Sequence, residues 1–434
     1  MIHSWTTRLG DLVEQTTARQ TEAGSGGIVR PPALPSLVLD RIRSLAADGH
    51  PEVVRLRRQI HRRPELAFEE HETAALIAET LRDIGIEPLT GIATTGVVAH
   101  LHGGRPGPVR AIRADIDALP IHEANTFDFA SEVDGAMHAC GHDAHTAMLL
   151  GAARVLHTMR DDWAGTVRLV FQPSEEKMPG GASVMIQEGV LGEMDGVPAP
   201  ERIFGQHVAP HLPTGAIGVR PGPFMASADE LSLTVRGRGG HAAVPHLLVD
   251  PVLAQAHVLT ALQSVISRHR PPGIASILSF GRVEALGATN VIPDEVRLVG
   301  TFRSMNDDWR FEAHDLIRRT AEHTARALGA TCDVQIDVGY PSLSNDPSLA
   351  EMVAETARLV TEAETVALPE WYASEDFAWY TREIPGCFYI LGTGSDDADS
   401  LHGLHTPRFT IDERAMETGV AVLAALAVDQ PLHA

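Results

Sequence analysis

From Leu37 onward the chain carries two kinds of hydrophobic pattern in turn. Apolar residues at three- and four-residue spacing predict helices over 51–61, 69–84, 142–157 and 181–188, with Pro51 opening the first and Gly85 ending the second. Short apolar runs over 97–102, 109–115 and 166–172 read as buried strands. Strands and helices at this spacing predict an α/β layer with helices on both faces. Near Ala228 the pattern changes. Residues 230–236 alternate like a half-buried strand, a glycine-rich turn follows, and Asp250 and Pro251 supply an N-cap and a first-turn proline for a helix to about Arg268. Strands over 275–284 and 295–302, a helix over 307–328 and a strand over 332–338 complete a β-α-β-β-α-β order, the split motif of a ferredoxin-like α+β unit. The first style then resumes, with a helix over 348–360, an apolar strand over 387–392 and a closing helix over 413–428.

This order predicts one α/β domain, residues 37–223 and 339–434, interrupted by an inserted domain at 224–338. Residues 1–36 read as an extension. A short polar helix is followed by Gly24, Gly26, Gly27, Pro31, Pro32 and Pro35, the composition of a flexible joint.

Composition narrows the function classes. The 434 residues hold 35 Lys and Arg against 57 Asp and Glu, a formal charge of −22, which argues against a nucleic-acid partner. Hydrophobic residues at 44% and charged residues at 21% exclude wholesale disorder. No apolar run approaches the length of a membrane span, and the first residues lack the apolar segment of a secretory signal. The three cysteines, Cys140, Cys332 and Cys387, cannot make a disulfide framework and fit a reducing compartment, so the cytoplasm is the expected location.

With 22 histidines, several beside Asp, Glu, Cys and Gly, the chain invites a search for metal ligands. The densest cluster is His138-Ala139-Cys140-Gly141-His142-Asp143-Ala144-His145, where Cys140 and His142 stand two apart at a loop-to-helix junction and could converge on one ion. Capping and core packing would account for the same residues less fully. Gln172-Pro173-Ser174-Glu175-Glu176 puts adjacent carboxylates at the end of an apolar strand, where open α/β sheets build sites. Neighbouring side chains point apart, so one could ligate while the other works on water; a solvated acidic turn is the plain alternative. Asp115 and Asp117 follow another apolar strand, and His207 and His405 are isolated histidines, each weak alone. Together, Cys140, His142, one Glu of the pair, His207 and His405 exceed the four donors of a closed structural zinc site and fit two ions sharing a bridge.

The order Asp-x-Asp-Ala-Leu-Pro, His-Ala-Cys-Gly-His-Asp, Gln-Pro-x-Glu-Glu, Gly-x-Gly-Gly-His-Ala, Asn-Val-Ile-Pro and Ser-Glu-Asp-Phe, running from about Arg55 to Val428, resembles the amidohydrolase branch of the aminoacylase and carboxypeptidase metallohydrolases. Hippurate hydrolases, N-acyl-amino-acid amidohydrolases and IAA-amino acid hydrolases belong to that branch. The resemblance implies a catalytic three-layer α/β domain with an inserted lid that dimerises or builds higher homo-oligomers. It implies two divalent ions per subunit (Zn, Mn, Co or Ni), held by Cys140 as bridge with His142, Glu176, His207 and His405. Glu175 then resembles the general base, and His241 the lid histidine that reaches the substrate carbonyl, often in a partner subunit. Asn290 and Arg303 resemble the residues that hold the substrate carboxylate. Asp115 and Asp117 stand where peptidase relatives have a His-x-Asp pair, and are expected to support the ligands rather than bind metal.

The reaction implied is hydrolysis of N-acyl or N-aroyl amino acids to a carboxylic acid and an amino acid, through a metal-bridging hydroxide with Glu175 as base. Three rivals stand beside it: a carboxypeptidase or dipeptidase of the same superfamily, a non-catalytic binding homologue, and a cysteine hydrolase built on Cys140.

Overall fold

The computed structural model describes residues 36–361, 363–395 and 402–428. The extension expected at 1–35 lies outside the described residues. The described chain contains an eight-stranded mixed sheet and a four-stranded antiparallel sheet, each with its own helices.

The large sheet has at its centre four mutually parallel strands, Ala164–Gln172, Arg105–Asp115, Arg202–Pro213 and Gly386–Gly394, in that spatial order. Arg105–Asp115 is buried over its last seven residues and Gly386–Gly394 over its first eight, as parallel strands covered on both faces are. The helices Ser36–Arg62, His142–Thr158, Pro347–Thr361 and Ala415–Val428 pack together over one side. On the other side Ala182, Met185, Phe377, Ala378 and Tyr380, from short helical segments, share a core with the sheet residues Val98, Ala111, Val170 and Ile203. Fourteen of the 17 residues of His142–Thr158 are buried, which explains why its pattern is apolar nearly all round.

Several short strands, Pro88–Ile92 among them, have no counterpart among the expected elements, and two larger differences bear on the core. Pro51 opens no helix: it lies inside a single helix, Ser36–Arg62. The buried stripe Leu39, Ile42, Ala46, Val53, Leu56 and Ile60 keeps one helical phase across it, so packing outweighs the missing amide. The strand Arg202–Pro213 has no counterpart among the expected strands, because Gly205, Gln206 and His207 interrupt its apolar run. It nonetheless lies between two parallel strands in the middle of the sheet.

The small sheet has the order 276–284, 295–304, 229–236, 331–338, with every neighbour antiparallel. That is the ferredoxin-like arrangement the strand order predicts. The helices Pro251–Ser264 and Asp307–Ala327 cover it, packing Val258, Leu262, Trp309 and Ile317 into one core with Leu231, Leu233, Val296 and Leu298 of the strands. Asp250 caps the first helix as expected, its Oδ1 accepting from the amides of Val252 and Leu253 at 2.8 and 3.2 Å. No helix among the described residues is long and apolar enough to cross a membrane.

Candidate metal centre and active site

The site lies at the carboxyl ends of the central strands, where an open α/β sheet presents its loops. Arg105–Asp115 delivers Asp115 and then Asp117, and Ala164–Gln172 delivers the turn with Glu175 and Glu176. Arg202–Pro213 carries His207, and the helix His142–Thr158 begins at His142. Gly141, between Cys140 and His142, sits at φ +89°, and a Cβ there would meet Val208 Cγ2 at 2.3 Å. Only glycine fits, so the chain can turn and aim both flanking side chains the same way. His405 holds a left-handed backbone at φ +60°, its amide donating to the Ala139 carbonyl at 2.8 Å, which ties the last of the candidate ligands to the Cys140 loop.

These elements bring together all five expected ligands. Cys140 Sγ stands 3.4 Å from His207 Nε2 and 3.3 Å from His405 Nε2. Glu176 Oε1 is 3.1 Å from His405 Nε2 and 4.0 Å from His142 Nε2. Cys140, His142 and His207 form one group of converging donors, and Cys140, Glu176 and His405 a second, so the thiol is common to both.

The donor set fits divalent ions on two further observations. His142 Nε2 is buried and has no hydrogen-bond partner, while Nδ1 donates to the Asp117 carbonyl at 2.9 Å and lies 3.1 Å from Asp117 Oδ1. His207 Nδ1 likewise donates to the Val208 carbonyl at 2.7 Å, so both rings turn Nε2 toward Cys140. The electrostatics also call for a cation. Burial opposes a charge on His142, yet Asp115, Asp117 and Glu176 prevail and lift its pKa to about 10. Burial, with Glu176 and Glu175 close by, pushes the Cys140 thiol well above its ordinary range, and a cation bound beside it would favour its ionisation.

His145 belongs to the same cluster but cannot ligate through a free nitrogen. Its Nδ1 pairs with Asp115 Oδ1 at 2.6 Å, and its Nε2 accepts from the Val208 amide at 2.9 Å. It locks Asp115 to the strand that carries His207. Asp115 also receives Arg113 Nη1 at 2.5 Å, and Asp117 Oδ2 accepts from the Glu176 amide at 3.0 Å. Asp117 thus touches the candidate ligands His142 and Glu176, whereas Asp115 pairs with His145 and Arg113 and stands 3.8 Å from His142 Nε2.

Glu175 is buried and faces another acidic group. Burial first, then Glu375, Glu176 and Asp376, push its carboxyl well above the ordinary range. Tyr340 donates its hydroxyl to the Glu175 carbonyl at 2.7 Å. Glu375 and Asp376 both pair with Arg113 Nη2, at 2.9 and 2.8 Å. Burial and the neighbouring Asp115 and Asp376 still lift Glu375 to about 8, against the pull of Arg113. Sequence reasoning assigns no role to Arg113, His145, Tyr340 or Glu375. His145 and Glu375 stand inside motifs quoted above, whereas Arg113 and Tyr340 carry no signal of their own.

A cavity of about 490 Å³ opens over these residues. Cys140, Glu175, Glu176, His207 and His405 line it, together with Arg303, Met225, Trp371 and Tyr372 among others. Arg303 reaches it from the small sheet, its Nη1 donating to the Tyr372 carbonyl at 2.8 Å. His241 and Asn290 do not line this cavity. They sit together on the small-sheet unit, where the strand Gly240–His241 pairs with Val291–Ile292 and the Ala242 amide donates to the Asn290 carbonyl at 3.1 Å.

The fold and sequence resemble those of known proteins. Residues 111–429 match the model of peptidase family M20/M25/M40. The N-acetylcysteine deacetylase of Bacillus subtilis is 41% identical over 380 residues, covering 87% of this chain and 97% of that protein. Thermostable carboxypeptidase 2 of Saccharolobus solfataricus is 37% identical, covering 87% of this chain and 94% of its own length. The crystal structure of Bacillus subtilis YxeP, described as a dinuclear metal binding peptidase of the M20 family, superposes with a TM-score of 0.75 at 38% identity, covering 88% of this chain and 98% of that one. The chain belongs to peptidase family M20/M25/M40. It is a metal-dependent amidohydrolase, an enzyme that acts on amide bonds.

Proposed function

We propose that the enzyme hydrolyses N-acyl or N-aroyl amino acids to a carboxylic acid and an amino acid. The observation that carries this reading is the cavity in which Glu175 stands beside the donors Cys140, Glu176, His207 and His405, with Arg303 in the same lining. His142 completes the donor set through its free Nε2. Two divalent ions held there would acidify water to a pKa near ~7 and polarise the substrate carbonyl. Zinc, manganese, cobalt and nickel all suit a set of one thiolate, one carboxylate and three imidazoles.

Glu175 takes the proton from the attacking water and delivers it to the leaving nitrogen. Its raised proton affinity suits both transfers, because a carboxylate with an ordinary pKa would hold the proton too weakly. Arg303 pairs with the substrate carboxylate through its planar guanidinium, exchanging the Tyr372 carbonyl for a charged partner. Asp117 fixes the His142 ring and the Glu176 amide together, so that one side chain sets the direction of two ligands.

His241 and Asn290, outside the cavity of their own chain, serve the site of a partner subunit in this reading. Residues 224–338 then form the lid and dimerisation domain inserted into a catalytic domain of 37–223 and 339–434, and the enzyme works as a homodimer or higher homo-oligomer in the cytoplasm. A carboxypeptidase or dipeptidase activity is the second reading, favoured by the likeness to the carboxypeptidase of Saccharolobus solfataricus. Assays of N-acetyl and N-benzoyl amino acids beside dipeptides, with added divalent ions, separate the two. Turnover of the acylated amino acids that is abolished by a chelator supports the proposal. Turnover of dipeptides alone would replace it with the second reading, and activity that survives chelation would overturn both.

A further inference from the structure

Glu70 is a fully buried carboxylate, 0% exposed, in none of the motifs that mark the site. It stands just before the helix His71–Ile84, where a carboxylate would ordinarily accept the helix's own first amides. Here another residue does that work. Glu65 accepts from the amides of Glu72 and Thr73 at 2.9 and 2.8 Å, and Glu70 makes no side-chain cap. The Glu70 oxygens go elsewhere. Oε1 accepts from the amides of Phe68 at 3.0 Å and Ser174 at 2.9 Å, and Oε2 from the Thr95 hydroxyl at 2.5 Å.

The bond to Ser174 leads to the reacting centre. Ser174 precedes Glu175 and holds a left-handed backbone at φ +49°, an unfavourable conformation that needs external support. Its carbonyl accepts from the Gly181 amide at 2.8 Å, where a Cβ on Gly181 would lie 1.8 Å from the Pro173 carbonyl oxygen. Beyond Glu175, the Glu176 amide is held by Asp117. The turn that aims Glu175 is therefore gripped by carboxylates on both sides, Glu70 before it and Asp117 after it.

We propose that Glu70 is a positioning residue for Glu175, acting through the Ser174 amide to hold the base in its working direction. This rests on the reading of Glu175 as general base. Glu70 touches neither substrate nor any candidate metal ligand's side chain, so its loss acts on proton transfer rather than on metal or substrate binding.

The test is a double-mutant cycle on the metal-loaded enzyme, with Glu70→Gln, Glu175→Gln and the pair. Glutamine keeps the shape of Glu70 but halves its acceptors, so the variant is expected to fold and to retain its metal. For Glu70→Gln, kcat is expected to fall about 10–100-fold with KM and metal content unchanged, the size of effect seen when a supporting partner is removed. In the Glu175→Gln background, where no base remains to be aimed, the same change is expected to have no further effect on kcat. A Glu70→Gln variant with wild-type kcat would overturn the proposal. So would equal fold-losses in the two backgrounds, or a loss that tracks falling metal content or melting temperature. Wild-type turnover in Glu175→Gln alone would instead remove the base assignment on which the proposal stands.

Discussion

Cys140 and His405 are 265 positions apart, yet Cys140 Sγ lies 3.3 Å from His405 Nε2. The contact joins the start of a central helix to a loop near the end of the chain, and the same sulfur is 3.4 Å from His207 Nε2. A thiol at the meeting point of two donor groups is the natural bridge between two cations. Cys140→Ala is therefore expected to lose most bound metal and at least about 100-fold in activity, as read by elemental analysis and turnover on the same sample. Retention of full metal with full activity would remove Cys140 from the centre.

Asp117 touches two of the candidate ligands, the His142 ring and the Glu176 amide. Asp117→Asn keeps the size of the side chain but weakens its pairing with the His142 ring and the Glu176 amide. Metal affinity is expected to fall about 10–100-fold, measured by competition with a chromogenic chelator. An unchanged affinity would make Asp117 an ordinary strand-end residue.

Arg113 is the buried cation among Asp115, Glu375 and Asp376. Arg113→Met leaves those carboxylates uncompensated and is expected to cost about 3–5 kcal/mol of stability in denaturant unfolding. A loss below about 1 kcal/mol would mean that the acidic cluster sheds its charge without help.

A different side chain gives the fold a dependence on pH. Burial first, with Arg168 beside it, lowers the pKa of His100 to about 4, and its Nε2 accepts from Arg168 Nε at 2.9 Å. The folded form thus holds His100 neutral, whereas the unfolded chain protonates it near ~6.5. Between these values the unfolded state binds more protons, so the His100 contribution is present above about pH 6.5 and is lost as pH falls toward about 4. His100→Gln, whose amide oxygen can still accept from Arg168, is expected to flatten the drop in melting temperature over that window. An unaltered pH profile would place the acid sensitivity elsewhere.

Much of this architecture is legible in the residues, for identifiable reasons. The small unit carries strong local signals: an alternating strand at 229–236, an Asp-Pro helix start at 250–251 and a long amphipathic helix at 307–327, all dominated by neighbours in sequence. The candidate donors Cys140, His142 and one Glu of the 175–176 pair are legible because residue type and spacing point to chemistry directly, whereas the choice of Glu176 over Glu175 comes from the family resemblance. The strand Arg202–Pro213 is not, because its place between two parallel strands is set by long-range pairing that a run broken by Gly205 and Gln206 does not announce. Arg113 and Glu70 escape for a related reason. Each is one charged residue in an ordinary setting, and only the fold reveals that its partners come from distant segments. Pro51 misleads because a local rule about proline yields to a continuous buried stripe.

The most direct test of the central idea is a crystal structure of the metal-loaded enzyme with anomalous scattering recorded at the metal edge. Two peaks are expected in each subunit, both within bonding distance of Cys140 Sγ, about 2.3 Å for zinc. One should also be bound by His142 and His207 and the other by Glu176 and His405, following the two donor groups. A single peak, or two peaks of which only one touches the sulfur, would contradict the bridged pair on which the proposed chemistry depends.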